Sequence, residues 1–296
     1  MQAAVQLFVQ GSLLLLIFAV GVQSSSSDLA YVARRPSLFV RGFIAVNIVV
    51  PASAVLLCLA LSVDRLTKAG IVIMAVSPLA PFVVGKMLKT GADRAYVIGT
   101  YAALMAASIL IVPATFGLLG MLVGRDVSAP IPTIARFIAI FVALPLVAGV
   151  MIGTWLKKTG RSNERVGTLL TRIALICLLP IVVLIIYRSG GATLSLIGDG
   201  SLAVIVLTVV AGIVAGHWLG GSDPNRRFAL AEAAATRHPG IALMIARRHF
   251  DDQRVALAII LFLLTSIVVS AIYAKWMTKR IAVERGPAEA ISGAGT

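Results

Sequence analysis

Long apolar stretches alternate with short charged connections along almost the whole chain. Nine of these stretches approach the roughly 20 residues that a helix needs to cross the hydrocarbon core of a bilayer. The first precedes Asp28, and the others run over 41–64, 68–86, 94–125, 136–157, 172–188, 199–223, 227–247 and 254–275. The pattern predicts an all-α polytopic membrane protein with nine transmembrane helices.

Two of the nine stretches carry helix-breaking residues. The third contains Pro78 and Pro81, and the eighth contains Pro239 directly after Arg237 and His238. Proline removes a backbone donor, which is tolerated at membrane depth only where the freed groups are buried in protein or line a wet cavity. A pair of interrupted spans indicates a substrate site near the middle of the membrane in a transporter, and ordinary kinks are the alternative.

Composition excludes a soluble domain, because 59% of the residues are hydrophobic, 13% are charged and the mean hydropathy is +1.00. The net charge of +14 comes from small basic groups between the apolar stretches, which indicates topology signals and not nucleic-acid binding. The connections that share a side with the C-terminus hold most of the lysine and arginine. We therefore expect the N-terminus to lie outside and the C-terminus in the cytoplasm. The expected location is a bacterial inner membrane.

The two ends of the chain differ in character. The first stretch lacks a basic start and is followed by further spans, which favours a transmembrane helix over a cleaved signal peptide. Residues 281–296 are small and polar, and their composition predicts a disordered cytoplasmic tail. Cys58 and Cys177 lie inside apolar stretches without CxxC spacing, which indicates packing and not a disulfide or metal site.

The eighth stretch holds the candidate chemistry. A charged side chain such as Arg237 at the bilayer centre costs about 2.5–3.5 kcal/mol on insertion scales, so it needs a partner or water. Glu232 lies five residues earlier, so a structural ion pair with Arg237 is one interpretation and a functional role is the other. His238 is a candidate proton carrier or a hydrogen-bonded structural residue. Asn47 and Thr100 are polar residues inside other stretches, where a bond to a neighbouring helix is the alternative to a functional role.

Signatures of soluble enzymes are absent from the sequence. It has no Walker loop, no dinucleotide-binding GxGxxG, no HExxH and no nucleophile elbow. Nor do the apolar stretches hold a cluster of His, Asp and Glu. We therefore expect a protein that is not an enzyme and needs no cofactor.

Three segments resemble the bile acid:sodium symporter family. "LLLLIFAVGVQSSSSDL" followed by "RRPSLFVRGFIAVNIVVPASAVLLCLAL" is similar to its helix, short acidic turn and proline-containing helix. "SPLAPFVVGKMLKTGADRAYVIGTY" resembles its first broken helix, and "ALAEAAATRHPGIALMIARRHF" resembles its second. The resemblance implies one unit over 1–280 with inverted repeats and two crossing broken helices. Its panel domain would take spans 1, 5 and 6, and its core domain spans 2–4 and 7–9.

The sodium ligands of that family are mostly missing here. The family glutamate that coordinates sodium falls on Ala233, with Glu232 one residue away, and the family Gln-Asn pair falls on Arg237 and His238. Other departures are apolar residues around Pro81 in place of a Ser-Asn pair, Tyr96 in place of a serine, and Val46 in place of a glutamine. A hard cation needs several oxygen donors, so sodium coupling is doubtful. The hypothesis is that Arg237 replaces the bound cation and attracts an anionic substrate.

The resemblance implies a secondary transporter of a small organic anion that works by alternating access. The alternatives are a channel or membrane sensor with the same fold, and an exporter like the auxin efflux carriers. The expected partners are an anionic or amphipathic substrate and the lipid bilayer, with no nucleic acid; proton coupling, the substrate, the direction of transport and the oligomeric state stay open. The candidate substrate-binding residues are Pro78, Pro81, Thr100, Arg237, His238, Pro239 and Gly240. The candidate ion-coupling residues are Asn47, Glu232, Thr236 and His238.

Overall fold

The computed structural model describes residues 2–88, 91–123, 132, 136, 138–196 and 200–292. This described part is built from helices and contains no strand longer than a single bridge. The helices are α1 (Gln2–Gln23), α2 (Ser26–Ala33), α3 (Pro36–Ala60), α4 (Arg65–Val76), α5 (Phe82–Leu88), α6 (Arg94–Val123), α7 (Ala139–Lys158), α8 (Asn163–Ser195), α9 (Ser201–Leu219), α10 (Pro224–Ala235), α11 (Pro239–His249) and α12 (Gln253–Ser292). The predicted all-helical class is confirmed.

Several helices are long and apolar enough to cross a membrane. Within the described residues there are five: Pro36–Ala60, Arg94–Phe116, Ala139–Lys158, Ser201–Leu219 and Gln253–Ile281. Gln10–Gln23 of α1 adds a shorter apolar helix. The pairs α4/α5 and α10/α11 are interrupted, so neither forms one continuous spanning helix. The count of nine spans stays a prediction.

Two regions differ from the expected local structure. α2 is an eight-residue helix where the family resemblance implied a short acidic turn. A capping box starts it, because the Ser25 amide donates to Asp28 Oδ2 at 2.8 Å and the Asp28 amide donates to Ser25 Oγ at 3.3 Å. At the other end, α12 continues through Ser292, across most of the tail that composition assigns to disorder. Residues 293–296 of that tail lie outside the described residues.

α1 packs along α7 and α8 with very close backbones. A Cβ built on Gly21 would lie 2.9 Å from the Cα of Gly149, and one built on Gly153 would meet the Val22 backbone. Small residues of this kind let membrane helices approach until their backbones touch. These three helices correspond to spans 1, 5 and 6, which the resemblance assigns to the panel; the division into panel and core remains a prediction.

The remaining helices surround the two interruptions. α4 packs against α12, and a Cβ on Gly70 would lie 2.7 Å from the Ala258 Cβ. α9 packs against α10 and also contacts α3 and α12. One continuous cluster of buried apolar residues runs through these helices. The half-helices α4 and α10, which lead into the two breaks, are therefore each held by a continuous neighbour.

The α9–α10 contact supplies a test of this packing. A Cβ on Gly216 would lie 2.5 Å from Ala231 Cα and 2.6 Å from Leu230 O, whereas one on Gly85 would meet nothing within 4 Å. We expect Gly216→Ala to reduce stability by about 1–3 kcal/mol, since overfilling a packed interface forces backbone shifts. Gly85→Ala, the matched control, should leave the thermal unfolding midpoint unchanged or raise it slightly, because alanine favours helix. Equal midpoints for the two variants would contradict the close approach.

Candidate functional site

The two interruptions lie side by side at the centre of the fold. Residues 77–81 separate α4 from α5, and residues 236–238 separate α10 from α11. The His238 amide donates to the Pro78 carbonyl at 2.8 Å, and Leu79 forms an antiparallel bridge with Arg237. The two broken segments therefore bond to each other through their backbones at the place where both helices are interrupted.

Arg237 is the most unusual side chain at this crossing. It is 1% exposed and belongs to the largest fully buried side chains. Its Nη2 donates to the Val46 carbonyl and its Nη1 donates to the Ser77 carbonyl at 3.4 Å, while its buried Nε has no partner. Among the described residues no carboxylate forms an ion pair with it. A buried positive charge thus rests on backbone carbonyl dipoles alone, which leaves it without a counter-ion.

The Val46 carbonyl is free for Arg237 because of a local change in helix register. Residues Ile44–Val49 form a π-helical turn within α3. In this register the donor to the Val46 carbonyl would be the residue five positions later, which is Pro51 and has no N–H. The proline therefore leaves an acceptor inside the protein, and Arg237 uses it.

His238 serves as the N-cap of α11. Its Nδ1 accepts a hydrogen bond from the Ile241 amide at 3.3 Å, and its Nε2 is buried without a partner. The neutral ring that fits this contact carries its proton on Nε2. Gly240 lies directly beside it, and a Cβ there would collide with Leu13 of α1. Leu13 of α1 therefore packs against the start of α11, where Pro239 and Gly240 stay partly exposed.

Glu232 does not pair with Arg237, so the interpretation of these two residues as an ion pair is wrong. Its Oε2 instead accepts a hydrogen bond from Lys86 Nζ of α5 at 2.7 Å. The same Nζ donates to Ser270 Oγ of α12 at 3.2 Å. The Thr236 hydroxyl donates its proton to the backbone carbonyl of Glu232 at 2.8 Å, one turn back in the chain. Sequence reasoning missed Lys86, which it treated as the charged end of a span.

The other candidate residues lie around the crossing in different ways. Pro81 is buried at the start of α5, and its carbonyl accepts from the Val84 amide at 3.3 Å. Thr100 is buried in α6, and its Oγ1 has no partner; its methyl group lies 3.4 Å from a Cβ built on Gly42. Asn47 lies next to Val46 in the π-helical turn, and its Nδ2 is buried without a partner. Nothing in the structure joins Thr100 or Asn47 to Arg237 by a hydrogen bond within the described residues.

A surface cavity of about 370 Å³ lies away from the crossing, beside α2. Its lining includes Tyr31, Arg34 and Arg35, and the Arg35 guanidinium lies 3.9 Å above the Tyr31 ring. The two arginines are exposed and the cavity is open to solvent. We place the candidate site at the crossing and not in this cavity, because the buried, uncompensated charge is found at the crossing.

The crossing itself can be tested by a disulfide. Ala80 and Thr236 flank the Leu79–Arg237 bridge, and both are buried. After Cys58 and Cys177 are replaced, we expect the Ala80→Cys/Thr236→Cys pair to crosslink within one molecule under oxidation. The single variants Ala80→Cys and Thr236→Cys serve as controls, since neither can form a disulfide within one molecule. Absence of the first crosslink in folded protein would contradict the bridge.

Comparison with known proteins gives one family match. The model of the family described as "Sodium Bile acid symporter family" matches residues 12–196, more than half of the chain. The match includes the second half of α1 and the whole of α2 to α8, and therefore the first crossing segment, and it ends before Arg237. No curated protein matches the chain.

Proposed function

The chain belongs to the Sodium Bile acid symporter family, and we propose that it is a secondary active transporter of a small organic anion. It is an integral membrane protein. In the proposed cycle, the anion binds at the crossing, and alternating access exposes that site to the two sides of the membrane in turn. The panel around α1, α7 and α8 would move against the remaining helices, with the contact between Leu13 and Gly240 opening.

The uncompensated charge of Arg237 supports this proposal most directly. A guanidinium stays protonated and presents a planar fork that can hold a carboxylate with two hydrogen bonds. Arg237 still has a buried Nε without a partner, and no described carboxylate neutralises it. The N-terminal end of α11 adds a positive dipole at the same place. An anion would complete a site that is one negative charge short.

Sodium does not fit this set of residues. A hard cation needs several oxygen donors, and Arg237 would repel it at the crossing. Glu232, the carboxylate nearest to the family position, is already bound to the Lys86 ammonium. We therefore propose that transport is not coupled to sodium in the manner that the family name suggests. Coupling to a proton through His238 is a separate proposal, which uptake driven by a pH gradient would test with His238→Asn.

A thermal-shift screen of the purified protein tests the proposal. Pyruvate, benzoate and cholate would be titrated in sodium chloride and, separately, in choline chloride. We expect at least one carboxylate to raise the unfolding midpoint by the same amount in both salts. A shift that requires sodium would contradict the sodium-independent mechanism. Saturable counterflow in proteoliposomes then separates a transporter from the channel or sensor.

A further inference from the structure

The Lys86 ammonium joins three elements that are far apart in the sequence. It extends from α5, in the second half of the first broken span. Its Nζ lies 2.7 Å from Glu232 Oε2 on α10 and 3.2 Å from Ser270 Oγ on α12. Lys86 thus links both broken spans to α12 through one positive charge.

The oxygen atoms of Glu232 and Ser270 accept hydrogen bonds from this ammonium. The Ser270 hydroxyl donates to the Ile267 carbonyl at 3.4 Å, so its oxygen lone pairs are left for the ammonium. The second oxygen of Glu232, Oε1, is buried without a partner in the described part of the chain. Carboxylate and hydroxyl oxygens are also the donors that hard metal cations take. The same oxygens would therefore accept a small monovalent ion if the amine were absent.

The two members of the pair differ in their access to water. The Glu232 side chain is 1% exposed, whereas the Lys86 side chain is 38% exposed. A buried carboxylate without a positive partner is strongly unfavourable, so Glu232 requires a cation at this place. Arg237 lies five residues further on and is bound to the carbonyls of Val46 and Ser77, so it does not fill this requirement.

We infer that the Lys86 ammonium is a built-in cation that occupies a latent monovalent-cation site formed by Glu232 and Ser270. The lysine supplies the charge permanently, so the protein needs no dissolved cation to hold the two broken spans and α12 together. This inference deepens the proposed sodium-independent function and rests on it for its role in transport. The cation site itself is tested by measuring thermal stability in different salts, and that measurement needs no transported anion.

Removal of the amine should convert the protein into one that responds to cations. The probes are sodium, lithium and choline chlorides at equal ionic strength, with thermal unfolding of the full chain in detergent as the readout. We expect the wild type to show the same midpoint in all three salts. Lys86→Ala should unfold earlier in choline and recover saturably in sodium or lithium, by about 3 °C or more well above the dissociation constant.

Three further variants make the result specific. Lys86→Ala/Glu232→Gln should lose the response to sodium and lithium, because the carboxylate that binds the ion is gone. Lys86→Gln is a second neutral variant, with a polar side chain one atom shorter than lysine, and it should gain the same response as Lys86→Ala. Lys275→Ala removes an exposed lysine of α12 and should behave like the wild type.

Two outcomes would overturn the inference. One is an equal midpoint in the three salts for both Lys86→Ala and Lys86→Gln. The other is failure of both variants to fold in every salt, since sodium should refill a vacated site. Neither outcome bears on Arg237. Its role is tested by adding carboxylate anions to the wild type in choline chloride and measuring the unfolding midpoint. The inference and the proposed function can therefore fail separately.

Discussion

Replacement of Arg237 by glutamine is expected to weaken the binding of carboxylate anions by about 10- to 100-fold, which corresponds to the ~1.5–3 kcal/mol of a charged hydrogen bond. Glutamine keeps polar atoms at the crossing but removes a fully buried positive charge that forms no ion pair with a carboxylate among the described residues. The measurement is the dissociation constant of the carboxylate that most stabilises the wild type, from thermal shift or calorimetry in choline chloride.

Two further variants separate charge from geometry. Arg237→Lys keeps the charge but loses the planar fork, so we expect it to recover only part of the affinity. Arg247→Gln removes an exposed arginine of α11 and should leave the affinity unchanged. Undiminished binding by Arg237→Gln would show that the anion does not use this guanidinium.

The positions of the two breaks follow from local chemistry, which is why sequence predicts them well. Pro78 and Pro81 interrupt one stretch, and Pro239 starts a new helix directly after His238. Proline acts on its own backbone and on the preceding turn, so its effect does not depend on distant residues. The antiparallel bridge between Leu79 and Arg237 depends on how the two stretches pack, and only the resemblance implied that they cross.

The partners of the charged residues could not be read from local pattern. Lys86 and Glu232 are 146 positions apart, and nothing in either stretch indicates their contact. The sequence also does not indicate that the Val46 carbonyl accepts a hydrogen bond from Arg237. That contact depends on a π-helical turn, which Pro51 permits but does not specify. Sequence therefore locates the buried charge of Arg237, whereas the structure shows what does and does not neutralise it.

The close contact between α9 and α10 could have been predicted in part from the spacing of glycines in the sequence. Gly212 and Gly216 of α9 and Gly220 directly after its end repeat every four residues, which places them along one side. The spacing indicates a packing face, but it does not say which helix packs there. The structure assigns the partner, since Cβ atoms on these glycines would meet the backbone of Ala234, Ala231 and Arg227.

The second large effect is expected at the Lys86–Glu232 pair in sodium-free buffer. Lys86→Met should reduce stability by about 3–5 kcal/mol, because it leaves the buried Glu232 carboxylate without a positive partner. Glu232→Gln should cost less, since the half-exposed Lys86 side chain can turn towards water. The unfolding midpoint in choline chloride measures both variants.

The double variant Lys86→Met/Glu232→Gln decides whether the two residues act as a pair. It removes both charges, so we expect it to be more stable than Lys86→Met alone and to show a coupling energy within the ~0.5–3 kcal/mol seen for residues in contact. Lys275→Met, on the exposed surface of α12, is the matched control for loss of a lysine and should change little. If the two single effects simply add, or if Glu232→Gln costs more than Lys86→Met, the carboxylate does not depend on the ammonium for its burial.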